Sequence, residues 1–487
     1  MKQLANIVSK LSPVEVIGST EISISGLFID SRAVMANSLF VAIEGTQVDG
    51  HSFIDNAINQ GATAIICQTI PTNRRSNITY IRVDSTHVAL GHAASAFYDN
   101  PSEKLKLVGI TGTNGKTTTA TLLFRLANAL GEKSGLISTV QNQIGKKVIP
   151  STHTTPNAIE LNKLLKQMVD ENCAYCFMEV SSHAIHQQRI EGLCFTGAIF
   201  SNITHDHLDY HKTFKEYIKA KKLFFDNLPK AAFALTNADD KNGMVMVQNT
   251  MAKVHTYSLR SMANFKCKIV EQQLHGMLLN IDNIEVWSRL IGNFNAYNIL
   301  AAYATASLLG FNKEDVLTVL SSMEPVIGRF ENMIAPNGVM AIVDYAHTPD
   351  ALENVLSTVN SIKTIGNRLI CVVGAGGNRD KTKRPVMARV ALQGSDLVIL
   401  TSDNPRFEEP ADIIADMKQG VDAPSVGKVL TITDRREAIR TACLLANSGD
   451  IVLVAGKGHE TYQEVKGAKH HFDDKQEVAE IFKTLLP

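Results

Sequence analysis

The sequence predicts an α/β protein of three domains. A central domain built on a parallel sheet is flanked by an N-terminal α/β domain and a C-terminal doubly wound, Rossmann-like domain. Short apolar runs alternate along the chain with segments of helical periodicity, which is typical of parallel sheets wrapped by helices. Two polar, proline-containing stretches divide the 487 residues. This length fits about three domains at roughly 150 residues each.

The N-terminal domain is predicted to span residues 1–99. Three apolar runs in this part of the chain read as strands, and helical patterns lie between them: "LFVAI" (39–43), "AIIC" (64–67) and "YIRV" (80–83). The polar stretch "FYDNPSEKLK" (97–106) contains a proline and is interpreted as a linker. The pattern therefore predicts a small α/β unit followed by a break.

The central domain is predicted to span residues 100–331. A buried strand begins at Leu105, and further strands are expected near 135–139, 174–180, 197–203 and 231–236. Helices are expected near 157–171, 213–227 and 295–310. A second break falls around "PVIGRFENMIAPNG" (325–338). The alternation of strands and helices predicts a parallel sheet.

The C-terminal domain is predicted to span residues 332–487. It contains four buried-strand candidates separated by helical patterns: "VMAIVDY" (339–345), "LICVVGAGG" (369–377), "DLVILTS" (396–402) and "DIVLVAG" (450–456). Four such strands with intervening helices predict a doubly wound sheet, in which ligands bind outside the carboxyl ends of the strands.

Composition excludes several classes of protein. Lys plus Arg and Asp plus Glu both number 48, so the basic excess typical of a nucleic-acid partner is lacking. No apolar run approaches the roughly 20 residues of a membrane helix. The first residues, "MKQLANIVSKLSPVEV", are too polar for a signal peptide. Seven scattered cysteines fit a reducing cytoplasm, and Cys173 and Cys176 lie in an apolar run that favours core packing over zinc binding.

The segment "GITGTNGKTTTATLL" (109–123) places a glycine-rich loop between a strand and a helix. Gly112 and Gly115 permit a tight turn whose backbone N–H groups face an anion at the helix N-terminus. Lys116 can reach the terminal phosphates of a nucleotide, and the Thr117 hydroxyl can bind Mg²⁺. The usual pattern G-x-x-x-x-G-K-[ST] requires a glycine six residues before the lysine, where this chain has isoleucine. We therefore predict a P-loop ATPase domain with a shortened loop; the alternative is an ordinary turn carrying a stray lysine.

Acidic residues and histidines follow two of the predicted central strands. Glu179 ends the apolar run of "FMEVSSH" (177–183), where a second Mg²⁺ ligand belongs in a phosphoryl-transfer site. The segment "NITHDHLDYH" (202–211) then gathers three histidines and two aspartates: His205, Asp206, His207, Asp209 and His211. A single histidine would be read as a hydrogen-bonded surface residue, but this cluster indicates metal or phosphate chemistry.

One lysine falls on the apolar side of a predicted helix. In "TFKEYIKAKKLFFDNL" (213–228), Lys221 lies within a stripe that Phe214, Tyr217, Ile218, Phe225 and Leu228 form, whereas Lys215, Lys219 and Lys222 lie outside it. Burial lowers the pKa of a lysine, and a neutral amine can react with CO2 to give a carbamate that acts as a metal or phosphate ligand. Alternatively, the ammonium reaches water along its stem. The helical wheel leaves both readings open.

Together these segments resemble the Mur ligase family, the ATP-dependent amide-bond ligases of peptidoglycan synthesis. The shortened loop G-T-x-G-K-T is that family's form of the P-loop. The resemblance covers the whole chain and rests on the order of these motifs: "DSR" (30–32), "GTNGKTT" (112–118), "HTTP" (153–156), "MEVSSHAIHQQR" (178–189), "DHLDYH" (206–211), "YIKAKKLF" (217–224), "GNFNAYN" (292–298), "VDYAHTPD" (343–350), "GGNRDKTKRP" (376–385), "SDNPR" (402–406) and "GKGHE" (456–460). Asn378 stands where the family pattern leads us to expect an aspartate.

The resemblance implies three small-molecule substrates, namely ATP, meso-diaminopimelate and UDP-N-acetylmuramoyl-L-alanyl-D-glutamate, here called the UDP-muramoyl dipeptide. Residues expected to bind ATP are Gly112, Thr113, Asn114, Gly115, Lys116, Thr117, Thr118, Asn293 and Asp344, with Asn298 near the base and ribose. The uridine diphosphate end would be bound by Ile29, Ser31, Thr46, Gln47 and Val48. The muramoyl dipeptide would be bound by Thr154, Thr155, Ser181, Gln187 and Arg189.

The resemblance also implies a metal site, a modified lysine and an amino-acid pocket. Mg²⁺ would be held by Thr117, Glu179, His207 and Lys221 in its carbamate form. The catalytic residues would be Lys116, His207 and the carbamylated Lys221. Diaminopimelate would be bound by Arg379, Asp403, Asn404, Pro405, Arg406, Gly456 and Glu460. We expect a cytoplasmic monomer without nucleic-acid partner or membrane insertion.

Two other functions share parts of this pattern. A folylpolyglutamate synthetase has a similar loop and related chemistry, but should lack a distinct uridine-binding domain and the "DNPR" motif. A P-loop switch that only hydrolyses ATP would not need a third domain that recognises carboxylates. For Arg406, the alternative to substrate binding is a surface ion pair with Glu408 or Glu409, which would contribute little.

Overall fold

The computed structural model describes residues 1–45, 48–151, 153–204, 206 and 208–485. Its large sheets have five, eleven and six strands, in chain order. Helices cover them, which confirms the predicted α/β class with three units. Within the described part of the chain, no helix has both the length and the apolar character needed to cross a membrane.

The first unit contains the five-stranded sheet. Its elements are β1 (Lys2–Gln3), α1 (Leu4–Val8), β2 (Glu15–Ile17), β3 (Ser23–Ile24), β4 (Leu27–Phe28), β5 (Ser38–Val41), α2 (Ile54–Gln60), β6 (Ala62–Cys67), β7 (Thr79–Arg82) and α3 (Thr86–Phe97). The strand order in the sheet is β2-β7-β6-β5-β4. Strands β4 to β7 are parallel neighbours, and β2 is antiparallel to β7. The three predicted strands are confirmed as β5, β6 and β7.

The second unit contains the eleven-stranded sheet, and its elements follow in chain order. Its strands are β8 (Lys106–Thr111), β9 (Ser134–Ile137), β10 (Gln141–Ile144), β11 (Lys147–Pro150), β12 (Tyr175–Glu179), β13 (Gly197–Phe200), β14 (Phe233–Asn237), β15 (Lys253–Ser258), β16 (Phe265–Gln273), β17 (Gly276–Ile281) and β18 (Ile284–Ser288). Its helices are α4 (Lys116–Ala129), α5 (Ala158–Asp170), α6 (Ser182–His186), α7 (Leu208–His211), α8 (Phe214–Asp226), α9 (Gly243–Met246), α10 (Asn293–Leu308) and α11 (Lys313–Ser321).

The middle of this sheet is parallel and has the order β9-β12-β8-β13-β14-β15-β16. Antiparallel strands extend it at both ends, β10 and β11 on one side and β17 and β18 on the other. The sequence did not predict β10, β11 or β15 to β18. In β16 and β18, buried residues alternate with exposed ones, so these strands have no continuous apolar run.

The third unit contains the six-stranded sheet, whose strands are β19 (Glu331–Ile334), β20 (Met340–Asp344), β21 (Leu369–Ala375), β22 (Leu397–Ser402), β23 (Val429–Thr431) and β24 (Ile451–Ala455). Their order in the sheet is β19-β20-β24-β21-β22-β23. Strands β25 (Tyr462–Val465) and β26 (Ala468–His471) form a separate hairpin. Its helices are α12 (Pro349–Ile362), α13 (Lys383–Gly394), α14 (Pro410–Lys418), α15 (Arg435–Leu445) and α16 (Asp474–Phe482).

The four predicted strands of the third unit are confirmed as β20, β21, β22 and β24, which are parallel to one another. The second polar break needs a correction, because β19 forms inside it and pairs antiparallel with β20. This edge strand is half exposed and therefore lacks the apolar run of a central strand. The domain boundaries after residues 99 and 331 remain predictions.

A fully buried ion pair supports the strand ends of the third unit. The Arg435 guanidinium donates two hydrogen bonds of 2.7 Å to Asp474, and both side chains are 0% exposed. The same guanidinium donates to the carbonyl oxygens of Ala455 (3.0 Å) and Ser402 (3.4 Å), the last residues of β24 and β22. The pair therefore supports the start of two of the three loops that carry the predicted diaminopimelate residues, those after β22 and β24.

We predict that Asp474→Asn destabilises the third unit strongly, because it leaves the Arg435 charge buried without its carboxylate. Removing one partner of a buried pair costs about 3–5 kcal/mol. Glu477→Gln on the same helix is the matched control. Its partner Arg436 is 60% exposed, and such a pair contributes about 0–1 kcal/mol. Thermal unfolding of both variants checks this difference in stability, and equal melting temperatures would contradict the prediction.

Candidate active site

The glycine-rich loop lies where three parallel strands end side by side. Strand β8 ends at Thr111, between β12 and β13, and α4 begins at Lys116. The loop passes very close to β13, since a Cβ atom at Gly112 would lie 1.9 Å from Ser201 Oγ. Gly115 has a φ of +86° and is the N-cap of α4. Strand, tight loop and helix N-terminus therefore have the arrangement that an anion cradle requires, and anion binding there stays a prediction.

The Lys116 side chain folds back over this loop. Its ammonium donates hydrogen bonds to the carbonyl oxygens of Gly112 (2.9 Å) and Thr113 (2.8 Å). Burial lowers the pKa of Lys116, and the nearby Glu179 and Asp206 carboxylates partly offset this effect. The cation thus lies directly over the loop that would hold the phosphates of a nucleotide.

Glu179 ends β12 and is 1% exposed. Its Oε1 accepts hydrogen bonds from the Thr117 hydroxyl (2.9 Å) and the Thr139 amide (2.7 Å). Thr139, which the sequence analysis did not single out, also donates its hydroxyl to Oε2 at 3.2 Å. Thr117 and Glu179 therefore present neighbouring oxygen atoms, the ligand type that Mg²⁺ prefers while it keeps waters and phosphate oxygens in its shell.

The residues proposed to bind the metal come together only in part. Among the described residues, no three His, Cys, Asp or Glu side chains converge closely enough to hold a metal ion. The predicted ligand His207 lies outside the described residues, as does His205. Asp206 is buried and forms an ion pair with Lys383 of the third unit at 2.5 Å. Buried His211 contacts the Ser182 hydroxyl at 3.0 Å.

Lys221 lies in the core and does not reach water. It is 1% exposed, and its Nζ donates a hydrogen bond of 2.9 Å to the Gly112 carbonyl, which also accepts from Lys116. The ammonium position lies 4.7 Å from the centre of the Tyr217 ring. Burial and the nearby Lys116 charge hold the pKa of Lys221 well below its usual range, against a smaller opposing effect of Asp206. The alternative of a solvent-reaching lysine is therefore wrong.

Residues predicted to bind the muramoyl dipeptide lie beside Glu179. The Thr155 hydroxyl donates to the Glu179 carbonyl oxygen at 2.8 Å and accepts from the Ser181 amide at 3.1 Å. Arg189 donates to the Thr155 carbonyl oxygen at 2.9 Å and to Gln187 Oε1 at 2.6 Å. These four residues form one connected network, and the Thr154 hydroxyl lies within hydrogen-bond distance, 3.0 Å, of the Thr139 hydroxyl that contacts Glu179.

The residues predicted to bind uridine diphosphate lie in the first unit. Ser31 is buried, and its hydroxyl accepts a hydrogen bond of 3.0 Å from the Asn56 amide. Ile29 and Val48 are large apolar side chains that are 38% and 57% exposed. The predicted contacts Thr46 and Gln47 lie outside the described residues.

Three residues predicted near the nucleotide surround the start of α4 and α10. The Asn298 side chain fills the space above Gly115, where a Cβ atom would lie 2.4 Å from its Oδ1. Asn293 is the first residue of α10. Asp344 ends β20 and accepts a hydrogen bond of 2.7 Å from the Phe330 amide; burial raises the pKa of this carboxyl to about 6.

Arg329 connects the second and third units, and the sequence analysis did not single it out. Its Nη2 donates to the Thr117 hydroxyl at 3.2 Å, and its guanidinium lies 4.5 Å from the centre of the Tyr345 ring. Arg329 lies in the stretch that was interpreted only as a polar break. An isolated arginine in such a stretch gives no local sign of the residues it will contact.

The predicted diaminopimelate residues of the third unit surround a buried lysine that the sequence analysis also missed. Lys457 is 0% exposed and donates to Asn404 Oδ1 and Glu460 Oε2, both at 3.1 Å. Asn404 also donates to Glu460 Oε2 at 2.7 Å. Gly456 has a φ of +119°, and a Cβ atom there would lie 2.6 Å from Asp403 Oδ2. The four predicted residues in this group are therefore held in mutual contact.

Arg406 does not form the surface ion pair that was its alternative role. Glu408 binds the buried Arg384 at 2.8 Å, and Glu409 pairs with Lys466 at 3.3 Å. Arg406 instead donates to the Gly377 carbonyl oxygen at 2.7 Å. A Cβ atom at Gly377 would lie 1.9 Å from the Pro405 carbonyl oxygen, so the loops of Arg379 and Arg406 pack directly on each other.

The unexpected Asn378 has a structural role in the same pair of loops. Its φ is +53°, a left-handed conformation that asparagine tolerates better than most residues. Its side-chain Oδ1 accepts a hydrogen bond of 3.1 Å from the Phe407 backbone amide, and its backbone amide donates to the Glu408 carboxylate at 2.5 Å. Asparagine therefore suits this position.

One cavity of about 810 Å³ connects these groups between the second and third units. It is lined by most of the predicted nucleotide, dipeptide and diaminopimelate residues, namely Gly112 to Thr118, Thr154, Thr155, Glu179, Ser181, Arg189, Lys221, Asn293, Asp344, Arg379, Asp403, Asn404, Arg406, Gly456 and Glu460. A phosphate cradle and a pocket with arginines and carboxylates thus face the same space. Reactants bound at the two ends could meet there.

Family models match most of the chain. The model of the Mur ligase family, catalytic domain, matches residues 23–98; the Mur ligase middle domain matches 110–306; and the Mur ligase, glutamate ligase domain matches 328–458.

Curated relatives match over nearly the full length. Those named UDP-N-acetylmuramoyl-L-alanyl-D-glutamate--2,6-diaminopimelate ligase include proteins of Bacteroides thetaiotaomicron, 57% identical over 98% of this chain and 99% of the relative, and Phocaeicola vulgatus, 56% identical over 99% of both. A relative with the same name from Geobacillus kaustophilus is 42% identical over 93% of both chains.

Solved structures agree with these matches. A structure of UDP-N-acetylmuramoyl-L-alanyl-D-glutamate--2,6-diaminopimelate ligase is 32% identical, covers 99% of both chains and has a TM-score of 0.71. The folylpolyglutamate synthase of Mycobacterium tuberculosis, complexed with ADP and AMPPCP, is 17% identical and covers 76% of this chain and 93% of its own, with a TM-score of 0.62. That second likeness shows the fold alone.

We predict that Gly115→Ala weakens nucleotide binding by about tenfold or more, because the added Cβ displaces Asn298 and the loop. Gly131→Ala, just beyond the end of α4, is the matched control. Its φ is +87° and nothing lies within 4 Å of the added atom. Both variants should carry a backbone strain of about 1–2 kcal/mol. Calorimetric titration of both variants with an ATP analogue measures the difference in affinity. Equal affinities would disprove a role of the close contact between Gly115 and Asn298.

Proposed function

This chain belongs to the Mur ligase family, and we propose that it is the ATP-dependent ligase that adds meso-diaminopimelate to UDP-N-acetylmuramoyl-L-alanyl-D-glutamate. One observation supports the proposal: a single cavity joins the glycine-rich loop, the Glu179 network and the third-unit pocket that contains Arg379 and Arg406. Relatives that match 93–99% of the chain are named UDP-N-acetylmuramoyl-L-alanyl-D-glutamate--2,6-diaminopimelate ligase.

The reaction proceeds in two steps. The γ-carboxylate of D-glutamate attacks the γ-phosphorus of ATP, which forms an acyl phosphate and releases ADP. A neutral amine of diaminopimelate then attacks the acyl carbon, an amide bond forms, and phosphate leaves as the amine loses a proton. In the first step Lys116 and the loop amides would stabilise the negative charge that develops on the transferred phosphoryl group. Enclosure between the units would keep water from the acyl phosphate.

The residues present fit a magnesium ion. Glu179 and the Thr117 hydroxyl offer two oxygen ligands beside the cradle, and their mutual hydrogen bond of 2.9 Å shows that the two atoms already adjoin. Mg²⁺ bound there would supply positive charge that neutralises phosphate oxygens. His207 is proposed as a further ligand.

Lys221 fits the proposed carbamate. A neutral lysine amine attacks CO2 and releases one proton, which gives a carbamate with a negative charge. The lowered pKa of Lys221 favours the neutral amine. Lys116 and Lys221 share the Gly112 carbonyl oxygen as an acceptor, so two ammonium groups would repel each other there. A carbamate would replace this repulsion with an attraction to Lys116.

We predict that Lys221→Ala lowers turnover by about a hundredfold or more, since it removes a charged group from a buried catalytic site. Acetate or formate should restore part of the activity by supplying the missing carboxylate. Lys219→Ala is the control, because the Lys219 side chain is 78% exposed on the same helix. Steady-state rates with and without added acid check this prediction. If Lys221→Ala is fully active without added acid, the proposed carbamate is wrong.

The proposed function itself is tested with a panel of amino acids. Phosphate release and amide formation should require both the UDP-muramoyl dipeptide and meso-diaminopimelate. L-Lysine lacks the far carboxylate, and leaving a buried charge unpaired costs about 2–5 kcal/mol, or roughly 30- to several-thousand-fold in affinity. Phosphate release without an amino acid would favour a simple ATPase, and equal efficiency with lysine would refute diaminopimelate as the substrate.

A further inference from the structure

We propose that Glu464 is a positioning residue for selection of the amino acid, because it orients the Arg406 guanidinium toward the far carboxylate of diaminopimelate. This inference rests on the proposed function and concerns how the same pocket distinguishes diaminopimelate from lysine. Glu464 lies on β25, outside every motif on which the family resemblance rests.

The hairpin of β25 and β26 holds the Arg406 backbone in an unusual conformation. The φ of Arg406 is +52°, a left-handed conformation that costs a non-glycine residue about 1–2 kcal/mol. The Arg406 amide donates to the Glu464 carbonyl oxygen at 3.0 Å, and the Arg406 carbonyl oxygen accepts from the Lys466 amide at 2.5 Å. These two hydrogen bonds fix the direction in which the Arg406 side chain leaves the backbone.

The guanidinium is then held from two further directions. Its Nη1 donates to the Gly377 carbonyl oxygen at 2.7 Å, and a Cβ atom at Gly376 would lie 3.0 Å from this nitrogen, so the group lies directly against the glycine backbone. On the other side, Glu464 Oε2 lies 3.5 Å from Arg406 Nε. With Nη1 bonded to Gly377 and Nε within ion-pair distance of Glu464, the geometry assigns Nη2 to the substrate carboxylate.

Glu464 acts through Arg406 and not on the substrate. Arg406 lines the cavity, whereas Glu464 is not among the described residues that line it. The Glu464 amide also donates to Asn404 Oδ1 at 2.9 Å, so its backbone supports a second residue of the pocket. Glu464→Gln keeps these backbone contacts and the side-chain volume, and therefore removes only the negative charge beside Nε.

The expected effect is moderate and confined to the amino acid. Both side chains of the pair are 23% exposed, so solvent screens their interaction. In Glu464→Gln, a less restricted guanidinium should raise the KM for meso-diaminopimelate about three- to tenfold, because fixing it on binding costs entropy. The ratio of kcat/KM for meso-diaminopimelate over L-lysine should fall by the same factor. The KM for ATP and the melting temperature should stay unchanged.

Two further variants separate positioning from a general effect on the hairpin. Glu409→Gln is the control, since Glu409 pairs with Lys466 of the same hairpin at 3.3 Å and is 64% exposed. It should keep the wild-type ratio. In an Arg406→Ala background, Glu464→Gln should change the ratio no further, because the group that it orients is absent.

The outcomes distinguish this inference from the proposed function. If the wild-type protein forms no amide with meso-diaminopimelate, the proposed function fails. If the wild type is active and selective but Glu464→Gln leaves the ratio unchanged or raises it, the positioning role is overturned. The positioning role is also overturned if Glu464→Gln changes the kcat/KM ratio equally in the wild-type and Arg406→Ala backgrounds.

Discussion

The candidate site depends on the parallel alignment of β12, β8 and β13. Strand registers place Glu179 opposite Ile110 and Phe200 opposite Thr111, so the three strands end at the same level. The chain must leave β8 between its neighbours, and only a glycine fits at position 112 because a Cβ would overlap Ser201 Oγ. Because this loop is so tight, its Gly112 carbonyl points to Lys116 and Lys221 together. Sheet alignment thus brings acidic and basic groups to one point.

In the third unit, buried cations hold the loops at the strand ends in place. Arg384, Arg435 and Lys457 are each at most 1% exposed, and each contacts at least one carboxylate. Such pairs contribute little net stability, since desolvation offsets the attraction, but removing one partner is costly because it leaves a buried charge unpaired. They support the loops that follow β21, β22 and β24. A substrate with two carboxylates and two amino groups requires this kind of ordered surface.

Contacts between the second and third units bring the two halves together. The side-chain amide of Asn114 in the glycine-rich loop donates to Asp350 of α12 at 2.8 Å, and Lys383 of α13 forms an ion pair with Asp206. These polar contacts lie beside the large cavity, and the apolar side chains of Ile291 and Phe294 from the second unit also pack against the core of the third. Interfaces of this kind allow relative motion of domains. Bound substrates would therefore add to the forces that hold the units together.

The sequence alone determined the α/β class, the central parallel strands and the glycine-rich cradle, because each depends on local apolar runs, glycine spacing and helix phase. It also located the carboxylates at strand ends, since parallel strands end at one edge. Tertiary structure decided the rest. In β16 and β18 buried residues alternate with exposed ones and leave no continuous apolar run, the wheel of α8 could not show whether Lys221 reaches water, and only folding paired Arg406 with Glu464. Partners 58 residues apart in sequence are chosen by the packing of loops, which no local pattern encodes.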